Sequence, residues 1–337
     1  MSSSARLRHA ILDRRVALGD APTPVRHAGS IRRNLWIKDE GGIHSEYGGN
    51  KVRKLEFLLH GAHERVVTMG AAGSHHVLAT AVHASRLGHR GDAMAFPRPE
   101  TSHARDVLRA ATARATLHVA GDHDQAMQGF ERLAAGAPSF PAGGSSAVGT
   151  LGWVRAGLEL AEQVSRRELP EPRRVFCPLG TAGTVLGAAI GMRLGGLRTR
   201  VVAVRVVPAE WLTREKIAAL ASEVLDLLGT QGASAADLAV DFDDDRLGAG
   251  YGEPTAEGLA AIAQGAVAGL HLEPTYTGKA LAAALAAAAH EGPDLYWQTH
   301  STVPLARLLA EAPPLAPELE AMLVPIERDR VASEPVR

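Results

Sequence analysis

The sequence predicts an α/β protein built on mostly parallel sheets. Two observations carry this: short β-branched runs that end in glycine-rich turns, and apolar residues at helical spacing directly after those turns, the pair recurring along the chain. A third is size. With 337 residues, 46% hydrophobic and 22% charged, the chain can bury a large core in one or two domains.

The elements follow in order. Residues 1–34 are polar and rich in Pro and Arg and are expected to wrap the surface. Asn34 to Lys38 reads as a strand, and from Asn50 the spacing of Val52, Leu55, Leu58 and Leu59 gives a helix with one apolar face. Arg65 to Met69 is a buried strand that ends in the glycine turn before a helix over His76 to Leu87. The pattern repeats as strand Asp92–Phe96, helix Ser102–Ala113, strand Ala115–Val119 and helix His123–Ala135. After Gly143-Gly144 come a long helix over Thr150–Val164, strand Arg174–Pro178, helix Val185–Leu194 and the β-branched run Thr199–Val207. The acidic stretch Ala239–Asp245 lacks the glycine and distal glutamate of a calcium loop and reads as a solvated loop.

Composition excludes several function classes. Lys+Arg 36 against Asp+Glu 37 leaves a net charge of -1, with no basic excess for a nucleic-acid backbone. Cys177 is the only cysteine, which rules out an intrachain disulfide and fits a reducing compartment. Met1 to Asp20 has no apolar core of signal-peptide length, and the run Ala280–Ala289 is about half what a bilayer span needs. A cytoplasmic protein without a membrane or nucleic-acid partner is expected.

The segment most loaded with chemistry is Gly48-Gly49-Asn50-Lys51-Val52-Arg53-Lys54, where three cations crowd a helix start that the macrodipole makes unfavourable for positive charge. By itself the segment also reads as a solvated basic face. The sharper reading turns the Lys51 amine inward, where desolvation, the dipole, Arg53 and Lys54 lower its pKa and make it a nucleophile. A second turn, Gly180-Thr181-Ala182-Gly183-Thr184, lies between a strand and a helix and suits a single phosphate monoester, since it lacks the Gly-Lys-Ser/Thr of a triphosphate loop. A reactive lysine with one phosphate cradle points to pyridoxal 5'-phosphate.

On these residues the chain resembles the D-cysteine desulfhydrase and 1-aminocyclopropane-1-carboxylate deaminase family of tryptophan synthase β-like, fold-type II enzymes. The Asn50-Lys51 pair, Gly73-Ser74-His75-His76, Gly143-Gly144-Ser145-Ser146, the Gly180–Thr184 turn, Gly250-Tyr251-Gly252-Glu253-Pro254 and Glu273-Pro274-Thr275-Tyr276-Thr277-Gly278-Lys279 match its motifs in order over about 250 residues. The resemblance implies two open, twisted, mostly parallel sheet domains, a large one of 1–51 plus 154–337 and a small one of 52–153, with the cofactor between them in a homodimer. It implies that Lys51 carries the cofactor and moves the α-proton, with Ser74, Tyr251 and Tyr276 also catalytic. Asn50, His75, Thr299 and the turn residues Gly180, Thr181, Ala182, Gly183 and Thr184 would hold the cofactor. Ser74, His75, His76, Gly144 and His300 would meet a small amino-acid substrate.

The implied reaction is β-elimination from a small β-substituted amino acid, giving a 2-oxo acid and ammonia, because a neutral Thr299 facing the pyridine nitrogen makes a weaker carbanion sink. Ring-opening deamination is the alternative. It is disfavoured because Thr277 stands where the deaminases carry glutamate. His75, His76 and His300 replace smaller or different family residues and are expected to converge on one pocket, where they alter substrate choice or leave a silent cofactor-binding homologue. No carboxylate completes a facial set with them, so no metal is expected. All four tyrosines lie in or beside these motifs, which places them at one pocket.

Overall fold

The computed structural model describes residues 9–61, 64–230, 234–288 and 292–326. Its larger sheet has six strands in the order Val25–His27, Leu35–Asp39, Asp294–Gln298, Arg174–Leu179, Arg200–Arg205 and Val240–Asp243. Only the first pairing is antiparallel. Parallel strands are covered on both faces, and these sequences show it. Val175, Cys177 and Leu179 point into a core with helices Ala147–Ser165, Gly183–Leu194 and Arg214–Leu227. Phe176 and Tyr296 point to the other side, against Ala261 and helix Thr277–Ala286.

The two central helices of the first face owe their contact to small residues. A Cβ on Gly187 would lie 2.5 Å from Trp153 Cβ, and one on Gly191 would lie 2.1 Å from the Val154 carbonyl oxygen. The scarcity of aromatics is therefore a packing requirement, with backbone set directly against backbone.

The smaller sheet is parallel throughout, in the order Ala115–Val119, Arg90–Phe96, Arg65–Ala71 and Ser139–Phe140. Helices Lys51–Leu58, His75–Arg86 and Ser102–Thr112 contribute Leu55, Leu58, Val77, Leu78, Val107 and Ala110 to its core. Two features cut across the boundaries expected from sequence. Helix Ala147–Ser165 runs unbroken through residue 153. The chain near its end packs on the small sheet, not the large one: Leu319, Met322 and Leu323 join Ala72, Ala95 and Leu108, and Leu323–Val324 pairs with Arg98–Pro99.

Two further expectations are corrected. The acidic stretch 239–245 is no free loop, since Val240–Asp243 forms the sheet's edge strand, with Asp241 paired to Arg200 and Asp244 to Arg205 and Arg214. The N-terminal segment wraps the surface but also enters the interior through Leu12, Thr23 and Ala28.

Arg53 and Lys54 do not form a solvated basic face, being 3% and 1% exposed. Arg53 is the hub of a buried network. Its Nε and Nη2 donate to Glu40 at 2.6 and 3.1 Å, and its Nη1 and Nη2 donate to Glu159 at 2.9 Å each. Lys38 Nζ donates to Glu159 at 2.6 Å and to Gln163 at 2.7 Å, and Trp297 Nε1 donates to Glu40 at 3.0 Å. Burial alone would raise the Glu159 pKa, but Arg53 and Lys38 overcome it and hold the carboxylate at about 2. Deleting one member strands its partners as unpaired buried charges. Arg53→Ala is expected to cost about 3–5 kcal/mol, read as a fall in the urea midpoint. Arg15→Ala, which removes a half-exposed partner of Glu56, should cost at most about 1 kcal/mol.

Candidate active site

The site begins where the lysine helix docks. Gly49 has φ of 83°, and a Cβ there would lie 2.8 Å from Ser301 N and 2.9 Å from Thr299 O, so glycine alone lets the turn lie on the loop after strand Asp294–Gln298. Gly48 N donates to Ser301 Oγ at 3.0 Å and Asn50 N to Thr299 O at 2.9 Å. From the other side Trp153 Nε1 donates to Asn50 O at 3.0 Å. Lys51 is thus set by two elements besides its own helix. Burial lowers its amine to about 8. Arg53, expected to help, has its charge consumed by Glu40 and Glu159. The Cys177 thiol, pushed up to about 12 by burial, stays protonated beneath the site.

Lys54 lies one turn further along the same helix face. Its Nζ donates to Gly143 O at 2.9 Å and Ser145 Oγ at 2.8 Å, with no carboxylate to balance it, and burial and then Lys51 hold its pKa well below the ordinary lysine value. Ser145 Oγ also meets Thr181 Oγ1 at 2.7 Å and accepts from Gly183 N at 3.3 Å, while Asn50 Nδ2 donates to Thr184 Oγ1 at 3.2 Å. Ala182 sits at φ 65°, a left-handed conformation that a non-glycine residue adopts only under constraint, and caps helix Gly183–Leu194 without a side-chain bond. Thr150 Oγ1 is buried with no hydrogen-bond partner. A helix N-terminus, an unneutralised ammonium and an orphaned hydroxyl around Gly183 fit a phosphate monoester. Lys54, Ser145 and Thr150 were absent from the sequence-predicted set. The three-residue offset from Lys51 was a signal for Lys54, but nothing local marked Thr150.

The opposite wall comes from the small sheet. Ser74 Oγ accepts from His76 N at 3.3 Å and Val77 N at 3.5 Å, so it caps helix His75–Arg86 and keeps its own proton to donate. His75 Nδ1 is 2.5 Å from Tyr47 Oη and its Nε2 is 3.1 Å from His103 Nε2. The His300 ring lies 4.7 Å from that of His75 and 5.2 Å from that of His103. Of the three histidines expected to converge, His75 and His300 do. His76 turns away beneath the Gly143-Gly144 turn, buried with Nε2 on Thr68 Oγ1 at 2.8 Å, and is a core histidine. His103, unremarked in the sequence, takes its place.

Tyr251 and Tyr276 share a hydrogen bond of 2.7 Å, and burial together with Tyr251 holds the Tyr276 phenol well above its usual pKa, hence protonated. Gly180 approaches the Tyr276 ring, where a Cβ would lie at 3.3 Å from it. Tyr296 does not belong to this pocket. Its ring is buried in the large-sheet core and its hydroxyl donates to Thr277 O at 3.0 Å. The Thr277 hydroxyl is bound into the Glu273 turn, at 3.1 Å from the carboxylate.

Residues 16–297 match the profile of a family described as pyridoxal-phosphate dependent enzyme. The chain belongs to that family. It is 34% identical over 322 residues to nocardicin C-9' epimerase of Nocardia uniformis subsp. tsuyamanensis, covering 89% of this chain and 96% of that protein. It is 31% identical over 290 residues to D-cysteine desulfhydrase of Klebsiella pneumoniae (strain 342), covering 80% of this chain and 86% of the relative. A crystal structure described as an ACC deaminase homologue superposes with a TM-score of 0.77 at 25% identity, over 92% of this chain and 100% of that one. The protein is therefore a pyridoxal-phosphate-dependent enzyme of fold type II, related to the desulfhydrases and deaminases. No helix among the described residues is long and apolar enough to cross a membrane.

The phosphate cradle has a direct test. A Cβ on Gly183 would lie 2.7 Å from Ser145 Oγ, 2.9 Å from Thr150 Oγ1 and 3.0 Å from Lys54 Nζ. Gly183→Ala should weaken cofactor binding by about tenfold (about 1.4 kcal/mol) in fluorescence titration, with unchanged circular dichroism. The Lys51 amine gives a second test. Only its neutral form attacks an aldehyde, so capture of pyridoxal phosphate by the apoprotein should speed up about tenfold per pH unit below the lysine pKa and level off above about 8 in stopped-flow measurements.

Proposed function

We propose that the enzyme removes the α-proton of a small β-substituted amino acid with Lys51 and expels the β-substituent, and that the enamine so formed takes up one water after release, yielding a 2-oxo acid and ammonia. The observation that carries this is the Lys51 amine: lowered to about 8, it is fixed by Gly49 and Asn50 beside the Thr184 end of the phosphate cradle. Bound pyridoxal phosphate supplies the electron sink for charge left at the α-carbon. Asn50, Lys54, Ser145, Thr150 and the Gly180–Thr184 turn would hold its phosphate, and His75 and Thr299 would lie beside its ring.

Ser74 and the backbone N–H groups that open helix His75–Arg86 receive the substrate carboxylate, with Gly144 and His300 lining the space around it. Tyr276, hydrogen-bonded to Tyr251, donates to the departing group, since a phenol held above its usual pKa gives up a proton only as charge develops next to it. Water is kept out by the small sheet and the helices packed on it closing toward the large sheet. Thr277, tied to Glu273, offers no acid toward the substrate, which counts against ring opening. A homodimer and a cytoplasmic setting belong to the same proposal and rest on the family resemblance.

A second reading is favoured by the 34% identity to an epimerase across 96% of its length. Here the same α-proton is lost and returned to the opposite face, with no bond to the β-substituent broken. One pair of assays separates the readings. β-Chloroalanine of either hand should release 2-oxo acid and ammonia, and Lys51→Ala should abolish both that release and the visible absorbance of the bound cofactor. Deuterium uptake from D2O with loss of optical purity, but no oxo acid, would replace elimination by epimerisation. If Lys51→Ala kept its visible absorbance and its turnover, the lysine assignment would fail for both.

A further inference from the structure

Three histidines that no part of the proposed reaction requires as a set face one another across the cleft. His75 opens helix His75–Arg86 and His103 lies in the first turn of helix Ser102–Thr112. His300 comes from the loop after strand Asp294–Gln298 of the large sheet. Each offers a ring nitrogen, all within 4.8 Å of one another, and none of the three is fully buried.

We propose that His75, His103 and His300 form a binding site for one zinc-class divalent cation, which ties the small sheet to the large one and closes the cleft. Its inhibitory consequence rests on the reaction proposed above; the binding itself does not.

The chemistry of the donors fits. Zinc takes imidazole nitrogens at about 2.0–2.1 Å, which puts two tetrahedral ligands about 3.4 Å apart. His75 Nε2 and His103 Nε2 are already 3.1 Å apart and share a single proton, which a cation would replace. The widest pair, within 4.8 Å, closes by at most about 1.4 Å, a side-chain adjustment. Tyr47 Oη on His75 Nδ1 directs that ring's other nitrogen to the cluster, the outer partner that a ligating histidine needs. Charge is mixed around the site. Lys51 and Arg98 oppose a cation, while Glu273, ionised and held by the N–H groups of Thr275, Tyr276 and Thr277, favours it at His300 and His103, as Asp106 does at His103. With three protein ligands one tetrahedral position stays open. No metal was expected from sequence because no carboxylate completes a set with His75, His76 and His300; with His76 turned away, His103 supplies a third imidazole instead.

The test uses untagged holoenzyme and Co2+ as a visible probe. One Co2+ per chain should bind with the ligand-field bands of a tetrahedral site, displaceable by Zn2+. His103→Gln and His300→Gln should each weaken it about tenfold or more, while His60→Gln, at an exposed position, should not. Zn2+ should also inhibit turnover of β-chloroalanine, used instead of cysteine because a thiol substrate would itself chelate the ion. Binding that is absent, or unmoved by both ligand variants, overturns the site. Binding that follows the variants in a protein turning over no amino acid supports the site and counts instead against the proposed reaction. Binding without inhibition removes the closure and leaves the cation site.

Discussion

Arg53 is the interaction on which the rest of the site depends. It sits two residues after Lys51, and its guanidinium joins Glu40 at the end of one sheet strand to Glu159 in the middle of the long helix. A buried ion pair adds little net stability over an apolar substitute, but it is severe about geometry, since a misplaced partner is a bare charge in a low dielectric. The five donors of Arg53 therefore fix the rotation of the lysine helix about its own axis. That rotation decides whether Lys51 and Lys54 face the cleft or the core. Trp297 and Trp153 close the arrangement: their rings meet edge to face at 4.8 Å, one donating to Glu40 and the other to Asn50.

Against this neutralised core the cleft is deliberately out of balance. Lys51, half-buried, and Lys54, buried, have no carboxylate partners, and both are pushed toward their neutral forms. For Lys51 neutrality is the reactive state. For Lys54 it is a deficit that a phosphate dianion corrects, because the anion supplies the counter-charge that its carbonyl and hydroxyl partners lack. Two lysines of one helix face, three residues apart, thus do opposite things with the same desolvation. The strained Ala182 belongs to this logic, since a left-handed turn at the helix start aims consecutive N–H groups into one concavity.

Much of this was legible in the sequence, for local reasons. The β-branched runs and glycine turns located six of the strands to within a few residues, because buried parallel strands are apolar throughout, but not Val25–His27, Ser139–Phe140 or Asp294–Gln298. Lys51, the Gly180–Thr184 turn, Ser74 and the two paired tyrosines sit in contiguous motifs and were recognisable as such. What escaped depends on contacts distant in sequence. Arg53 looked like a solvated cation because Glu159 lies 106 positions away. The acidic stretch looked like a loop because its arginine partners sit on other elements. His76 and His103 were misjudged together: adjacent residues at a helix start point about 100° apart, so His75 and His76 could not share a pocket, whereas His103 reaches it from a separate helix. The pairing of Leu323–Val324 with Arg98–Pro99, and the packing of Leu319 and Met322 on Ala95 and Leu108, join residues far apart in sequence that no periodicity connects.

The small-residue composition links scaffold to chemistry. Helices Ala147–Ser165 and Gly183–Leu194 meet through glycines, at a spacing that larger side chains would forbid. Close-packed interiors of this kind resist displacement, so the two helix N-termini that flank the phosphate cradle behave as one rigid piece. The histidine wall is different. His75 and His103 belong to helices over the small sheet, His300 follows a strand of the large one, and the three meet only through their rings. Cofactor geometry is thus fixed by backbone packing, while the face opposite Lys51 is set by side chains whose separation changes with the relative position of the two sheets. A substitution in the glycine contacts would then disturb cofactor and substrate together. One among the three histidines would alter what the cleft accepts and leave the cradle intact.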